Sequence, residues 1–314
     1  MFAHTIRKLA YNVPVFLTII LLVMLSLRVN DPVYSFLGKN AKPEDIIEKR
    51  EQIGLDKPFF VQYLTFLTTF DLGTESWGQP GITVGEMLSN SVGPSLAITL
   101  PTLLLTTAIS IVTGLVSSFY RGTMIDRGLV FFAVLGMSVS FLVYIIFGQY
   151  YGAYRLNESL GGELFAISGY EPGLQNWVHY CLLPVIIGVI VGMGYDTRFY
   201  RAVMVEESQK EYITTALAKG ASKSKVMFAH MLKNAMIPII TRIAISLPFL
   251  IAGSILLETF FGIPGMGRTL ITAVRTKDFP VVQGFTAIFA GVYILTIVLT
   301  DILYALVDPR VRLS

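Results

Sequence analysis

The side chains that could carry out chemistry are few in this chain and poorly placed for it. Three histidines, His4, His179 and His230, stand far apart, and the single cysteine, Cys181, lies at the edge of an apolar run. Neither pattern has the spacing of a metal site, and one cysteine allows no intrachain disulfide. Cys181 reads as a small core hydrophobe. No GxSxG, no HExxH and no GxxxxGKS/T loop is present; the chain is not expected to bind ATP by itself, and no cofactor is expected. Asp301 is the clearest acid in an apolar run, and pairing with a nearby arginine at a helix end is its expected role. What remains is one long polar segment between apolar runs, Glu206 to Pro238, EESQKEYITTALAKGASKSKVMFAHMLKNAMIP. Its residues suit docking, not bond-making.

Within it, Tyr212, Ile213, Ala216 and Leu217 predict a short helix with one apolar stripe. Gly220 can end that helix in a left-handed conformation, and Ser222 can cap the next. Two short helices meeting at a sharp bend are the expected shape. A basic helix lying on anionic lipid is the competing reading. The small residues Ala216, Ala218 and Ala221 argue for contact with another protein backbone, since lipid insertion rewards large apolar side chains.

Membrane helices must hold this segment. The chain is 54% hydrophobic and 14% charged with mean hydropathy +0.65, against about 45–50% apolar and about 25% charged for soluble domains. An all-α polytopic membrane protein follows. The net charge of +3 is too small to argue for nucleic acid. Six apolar runs predict about six transmembrane helices: Leu9 to Leu27, Pro94 to Phe119, Leu129 to Tyr151, Tyr180 to Tyr195, Ile237 to Leu257 and Phe285 to Tyr304. Three parts are expected, a first helix (residues 1–28), a small extracytoplasmic insertion (residues 29–92) and a core (residues 93–314). Residues 206–238 form the cytoplasmic loop between the fourth and fifth spans, and Gly152 to Val178 an opposite polar loop. Arg7, Lys8, Arg121, Arg127, Arg198, Arg201, Arg310 and Arg312 then fall inside, and both termini are expected in the cytoplasm. Gly188 and Gly192 make a GxxxG, which fits close helix packing without naming a dimer face.

The segment resembles the cytoplasmic EAA loop of ABC importer permeases, in the form of the dipeptide/oligopeptide permease family. That form reads D-Y-V/I-x-T-A-x-A-K-G followed by H-x-x-x-N-A-x-x-P; here EYITTALAKG runs from Glu211 to Gly220 and HMLKNAMIP from His230 to Pro238. Thr214, Thr215 and Ala216 stand where the generic loop has acid-Ala-Ala. IGLDKPFFVQY (Ile53 to Tyr63), FDLGTES (Phe70 to Ser76), TRFYRAVMVE (Thr197 to Glu206), LETFFGIPGMGRTLITAVRTKDFPVVQG (Leu257 to Gly284) and DILYALVDPRVR (Asp301 to Arg312) extend the resemblance over nearly the whole chain. Two departures stand out. Ser138, Val139 and Ser140 replace the family's S-x-P, and Arg242 and Pro248 in the fifth span are unusual, Arg242 being expected to snorkel to the headgroups.

The resemblance implies a bacterial inner-membrane subunit without catalytic chemistry. It implies a second homologous permease, two cytoplasmic ATPase subunits, an extracytoplasmic substrate-binding protein and surrounding lipid as partners. Tyr212, Thr215, Ala216, Ala218, Lys219, Gly220, Ala221 and Ser222 would form the ATPase-coupling surface. Peptides are the implied substrate. Nickel or another small solute is the alternative within the family, and an ion-gradient-driven transporter the alternative outside it.

Overall fold

Helices follow the apolar runs, and local chemistry sets their ends. The structure is a computed structural model that describes residues 2–28, 42–52 and 54–307, together with Val33 and Leu37. The Asp301 side chain, the basic tail and most of residues 29–41 lie outside what is described. Helix α1 spans Phe2–Leu27. Helix α2, Pro43–Gln52, opens on a proline and two acids and closes on Lys49 and Arg50, matching the helix dipole. Helix α3, Phe59–Thr69, turns its aromatic face onto α1, where Phe59, Tyr63 and Phe66 pack around Ile20 and Met24. The Tyr63 hydroxyl donates to the Leu17 carbonyl at 2.9 Å.

Helix α4 spans Val84–Phe119 and so begins well before Pro94. The Thr83 hydroxyl accepts from the Glu86 N–H at 3.2 Å, and the Glu86 carboxylate accepts from the Thr83 N–H at 2.9 Å. This capping box satisfies the first-turn donors and fixes the start. The third run is not one straight helix. Helix α5 (Met124–Ser138) and helix α6 (Phe141–Leu160) meet at 92°, with Val139 and Ser140 extended between them. The bend forms without the family's proline.

The expected polar loop from Gly152 is also corrected. Residues 148–155 continue α6 as a π-helical stretch, and the helix ends only at left-handed Gly161. The Asn157 side chain then ties down the turn, accepting from the Leu164 N–H at 2.9 Å and donating to the Phe165 carbonyl at 2.7 Å. Helix α7 follows as Leu174–Ser208. Next come helix α8 (Glu211–Ala218), helix α9 (residues 223–234) and helix α10 (Met236–Ala252). Helices α11 (Ile255–Phe260), α12 (Met266–Thr276) and α13 (Phe279–Val307) complete the chain. The fifth run is therefore broken near Gly253, which adopts φ +75°, and only glycine fits there, because a Cβ would overlap the Glu258 carboxylate.

Among the described residues, four helices are long and apolar enough to span a membrane, and the bent α5–α6 pair makes a fifth. Helix α10 occupies the remaining run but is short, at 17 residues. The central packing is between α4 and α7. A Cβ at Gly188 would lie 2.8 Å from the Thr102 methyl, and one at Gly192 would lie 2.8 Å from the Thr106 methyl. The GxxxG is thus consumed inside the chain, where it lets two helices approach closely.

Candidate functional site

The polar segment folds into the expected bent pair. Helix α8 ends with the Gly220 N–H donating to the Leu217 carbonyl (2.9 Å) and the Ala221 N–H to the Ala216 carbonyl (3.1 Å). Gly220 itself sits at φ +81°, a region that costs other residues about 1–2 kcal/mol. The Ser222 hydroxyl accepts from the Lys225 N–H at 3.4 Å and opens α9. Sequence chemistry set each of these ends.

A buried cluster seats the pair on the ends of α4 and α7. Ile213, Val226, Met227 and Met231 pack with Leu115, Tyr200 and Met204. The Tyr212 hydroxyl donates to Glu207 at 2.5 Å, and Lys210 pairs with the other oxygen of the same buried carboxylate. Burial, and next the Glu207 contact, push the Tyr212 phenol up to about 12, so it remains a neutral donor. The Lys223 ammonium lies 5.4 Å from the Phe119 ring centre, against the end of α4. Close by, Arg201 grips Asp126 with two bonds of 2.8 Å, which pins the α4–α5 turn to α7.

The expected site residues divide between two faces. Tyr212, Ala216 and Ala221 turn inward and pack on the chain's own cluster. Thr215, Ala218, Lys219, Gly220 and Ser222 are exposed, as is Thr214. Leu217 belongs to the expected inward stripe but is 49% exposed, because a helix of eight residues buries only the side that faces α7. The outward face is therefore an apolar and hydroxyl ledge with one lysine. Phe228 on α9 is likewise exposed.

Toward the membrane interior, a groove of about 360 Å³ lies between α4, α7 and α10. Thr99, Thr102, Thr106, Asp196, Ser246 and Ser254 supply its polar side chains, and among the described residues the Thr106 hydroxyl has no hydrogen-bond partner. Arg242 does not simply reach for headgroups. Its guanidinium pairs with Asp196 through bonds of 2.9 Å, joining α7 to α10.

The opposite end of the helices is organised by two buried acids that the sequence reading passed over. Glu258 is wholly buried and accepts from the Ser95 hydroxyl (2.7 Å), the Ser254 N–H (3.1 Å) and the Arg268 N–H (2.9 Å). Asp278 accepts from the Ser76 hydroxyl, the Trp77 N–H (3.1 Å) and the Gly78 N–H (3.0 Å). The signal was available: Glu258 is a lone acid in an apolar stretch flanked by Gly253, Gly265 and Gly267.

With this architecture in view, the sequence matches two family descriptions. Residues 110–313 match the binding-protein-dependent transport system inner membrane component, and residues 1–87 match the N-terminal part of such membrane components. The chain belongs to this transport family. As a binding-protein-dependent transport component it is a multi-pass inner-membrane protein, a subunit of a larger complex. A putative peptide transport system permease protein of Brucella abortus is 34% identical over 99% of both chains. A probable peptide ABC transporter permease protein of Sinorhizobium fredii is 30% identical over 98% of this chain and 99% of its own. A glutathione transport system permease protein of Salmonella paratyphi A is 30% identical over 99% of both. In this transport component, two stretches far apart in sequence, FDLGTES (Phe70 to Ser76) and KDFP (Lys277 to Pro280), meet where Ser76 bonds to Asp278.

Proposed function

We propose that this chain forms half of the translocation pathway of an ATP-driven peptide importer and that residues 211–222 couple it to a cytoplasmic ATPase. A second homologous permease supplies the other half. Two ATPase subunits supply energy, and an extracytoplasmic binding protein delivers the peptide. The segment between α1 and α4 lies outside the cytoplasm, and both termini lie inside. The groove between α4, α7 and α10 lines the pathway, with its threonine hydroxyls offered to peptide backbone groups. The names of the relatives, peptide and glutathione permeases, support the substrate class.

One observation supports the coupling role: the exposed ledge from Thr214 to Gly220 is seated through a buried apolar cluster on α4 and α7. A surface loop made for solvent alone would need no buried Ile213, Val226, Met227 and Met231 beneath it. The test is purification of the tagged chain in mild detergent from cells expressing the full transporter. Two ATPase subunits and a second permease should come with it, and a cysteine at Lys219 should cross-link to an ATPase. Recovery of the chain alone, or cross-linking only to lipid-facing proteins, would overturn the reading.

A further inference from the structure

On the face opposite the coupling segment, a cleft of about 480 Å³ opens between the Gly78–Ile82 stretch, the start of α4 and α12. The size suits a small ligand, given that ligand pockets run to about 300–1,000 Å³. Arg268, Gln79, Asn90, Ser91, Thr269 and Thr272 line it, and no aromatic ring does. A protein–protein contact of high affinity would instead centre on aromatic anchors. Arg268 is half-buried, and among the described residues its guanidinium has neither an ion pair nor a hydrogen bond. Glu258 holds the backbone N–H of Arg268 and not its side chain.

The two acids near this cleft are already satisfied. Asp278, which borders it, is saturated by Ser76, Trp77 and Gly78. Glu258 lies beneath, occupied by Ser95 and backbone amides. Among the described residues that line the cleft, Arg268 is thus the one cation, and its side chain has no partner, whereas the Asp278 carboxylate keeps its charge but has its oxygens engaged by neutral donors. A guanidinium meets a carboxylate through two parallel N–H···O bonds, and hydroxyl and amide side chains around it match a peptide backbone.

We propose that this cleft receives the free α-carboxylate of a peptide at the outer mouth of the pathway, with Arg268 as its partner. The proposal rests on the peptide-importer reading above. Both acids fix the backbone around the cleft before any ligand arrives, and the unpartnered Arg268 side chain orders on the carboxylate when it binds. Helix direction places the cleft away from the coupling segment: α4 and α7 traverse the chain between them, and α4 at 36 residues is about 54 Å long.

The test uses the complete transporter in proteoliposomes, with binding protein supplied on the outside at saturating ligand. Uptake of tetra-alanine is compared with uptake of its C-terminal amide. In the wild type the free acid should be favoured. In Arg268→Gln the ratio of acid to amide uptake should fall about tenfold, the worth of one charge-assisted contact, while Arg268→Lys should keep most of the preference. An unchanged ratio in Arg268→Gln would overturn the proposal, whether total uptake falls or not. Weakened docking of the binding protein with an unchanged ratio would assign Arg268 to that partner instead. No ATP-driven uptake of either peptide by the wild type would overturn the importer reading itself, and this proposal with it.

Discussion

Gly220 is where the coupling reading can be tested most sharply, because the cost of changing it is purely conformational. A Cβ there would meet nothing within 4 Å, so no clash contributes. The residue sits at φ +81°, and non-glycine residues lose about 1–2 kcal/mol in that region, β-branched ones the most. One or two kcal/mol is a factor of about 5–30 in a two-state population. Against this, the buried anchors beneath the bend contribute about 1.5–3 kcal/mol each, so the segment stays folded and the protein still inserts. Strain then appears in the exposed ledge alone. Gly220→Asn, which tolerates the left-handed region, should transport almost normally. Gly220→Ala should lose up to about fivefold, and Gly220→Val up to about thirtyfold, in peptide uptake per ATP hydrolysed. Reconstituted transporter, with uptake and ATP turnover measured in the same vesicles, gives the ratio directly. Normal uptake per ATP in the valine variant would refute the argument, and so would an asparagine variant as damaged as valine, since that would point to a partner needing the empty space.

Three further outcomes follow from contacts elsewhere. Tyr212→Phe removes one of two partners of buried Glu207 and should cost about 1–3 kcal/mol in thermal unfolding. The phenol's raised value near 12 stabilises the fold fully below pH 10, so this contribution should stay constant from pH 6 to 9 and decline only as pH rises through 10–12 in a melting series. Gly192→Ala drives a methyl to 2.8 Å from Thr106 and should cost about 1–3 kcal/mol, with Thr106→Ala restoring much of the loss in a double-mutant cycle. Arg242→Gln should destabilise the detergent-solubilised protein by leaving Asp196 unpaired, and adding Asp196→Asn should recover stability; additive losses in differential scanning fluorimetry would contradict the pairing.

Local chemistry in the sequence was most legible where a few neighbouring residues decide the outcome. Gly220 and Ser222 sit as their types predict, and Cys181 is a buried hydrophobe in the core. Legibility failed where a side chain answers to a distant segment. Arg242 looks like a snorkelling residue until Asp196, 46 positions away, is brought to it. Asp278 and Ser76 meet across 202 residues. Helix ends inside apolar runs were also lost, for hydropathy does not change at Ser138–Ser140 or Gly253, while backbone geometry does. The early start of α4 was readable in principle, since Thr83-x-x-Glu86 is a capping box. Leu217 shows a subtler limit: an apolar stripe says which side of a helix prefers burial, but not how wide the supporting surface is.

The same contacts bear on how force would cross the membrane. Helices α4 and α7 carry the proposed coupling segment at one end, and α4 borders the Arg268 cleft at the other. Between these ends they touch backbone to side chain at Gly188 and Gly192, with no long side chains interposed to yield. A close-packed interior does not deform continuously, so such a pair would move as one strut. Hinges belong instead where hydrogen-bonded helix is interrupted, at Val139–Ser140 and at Gly253–Ser254. These two breaks flank the groove, whose lining includes Phe141 from one and Gly253 and Ser254 from the other. A push on α8 would therefore tilt the α4–α7 strut against α6 and α11, and the groove between them is the space whose width that tilt would change.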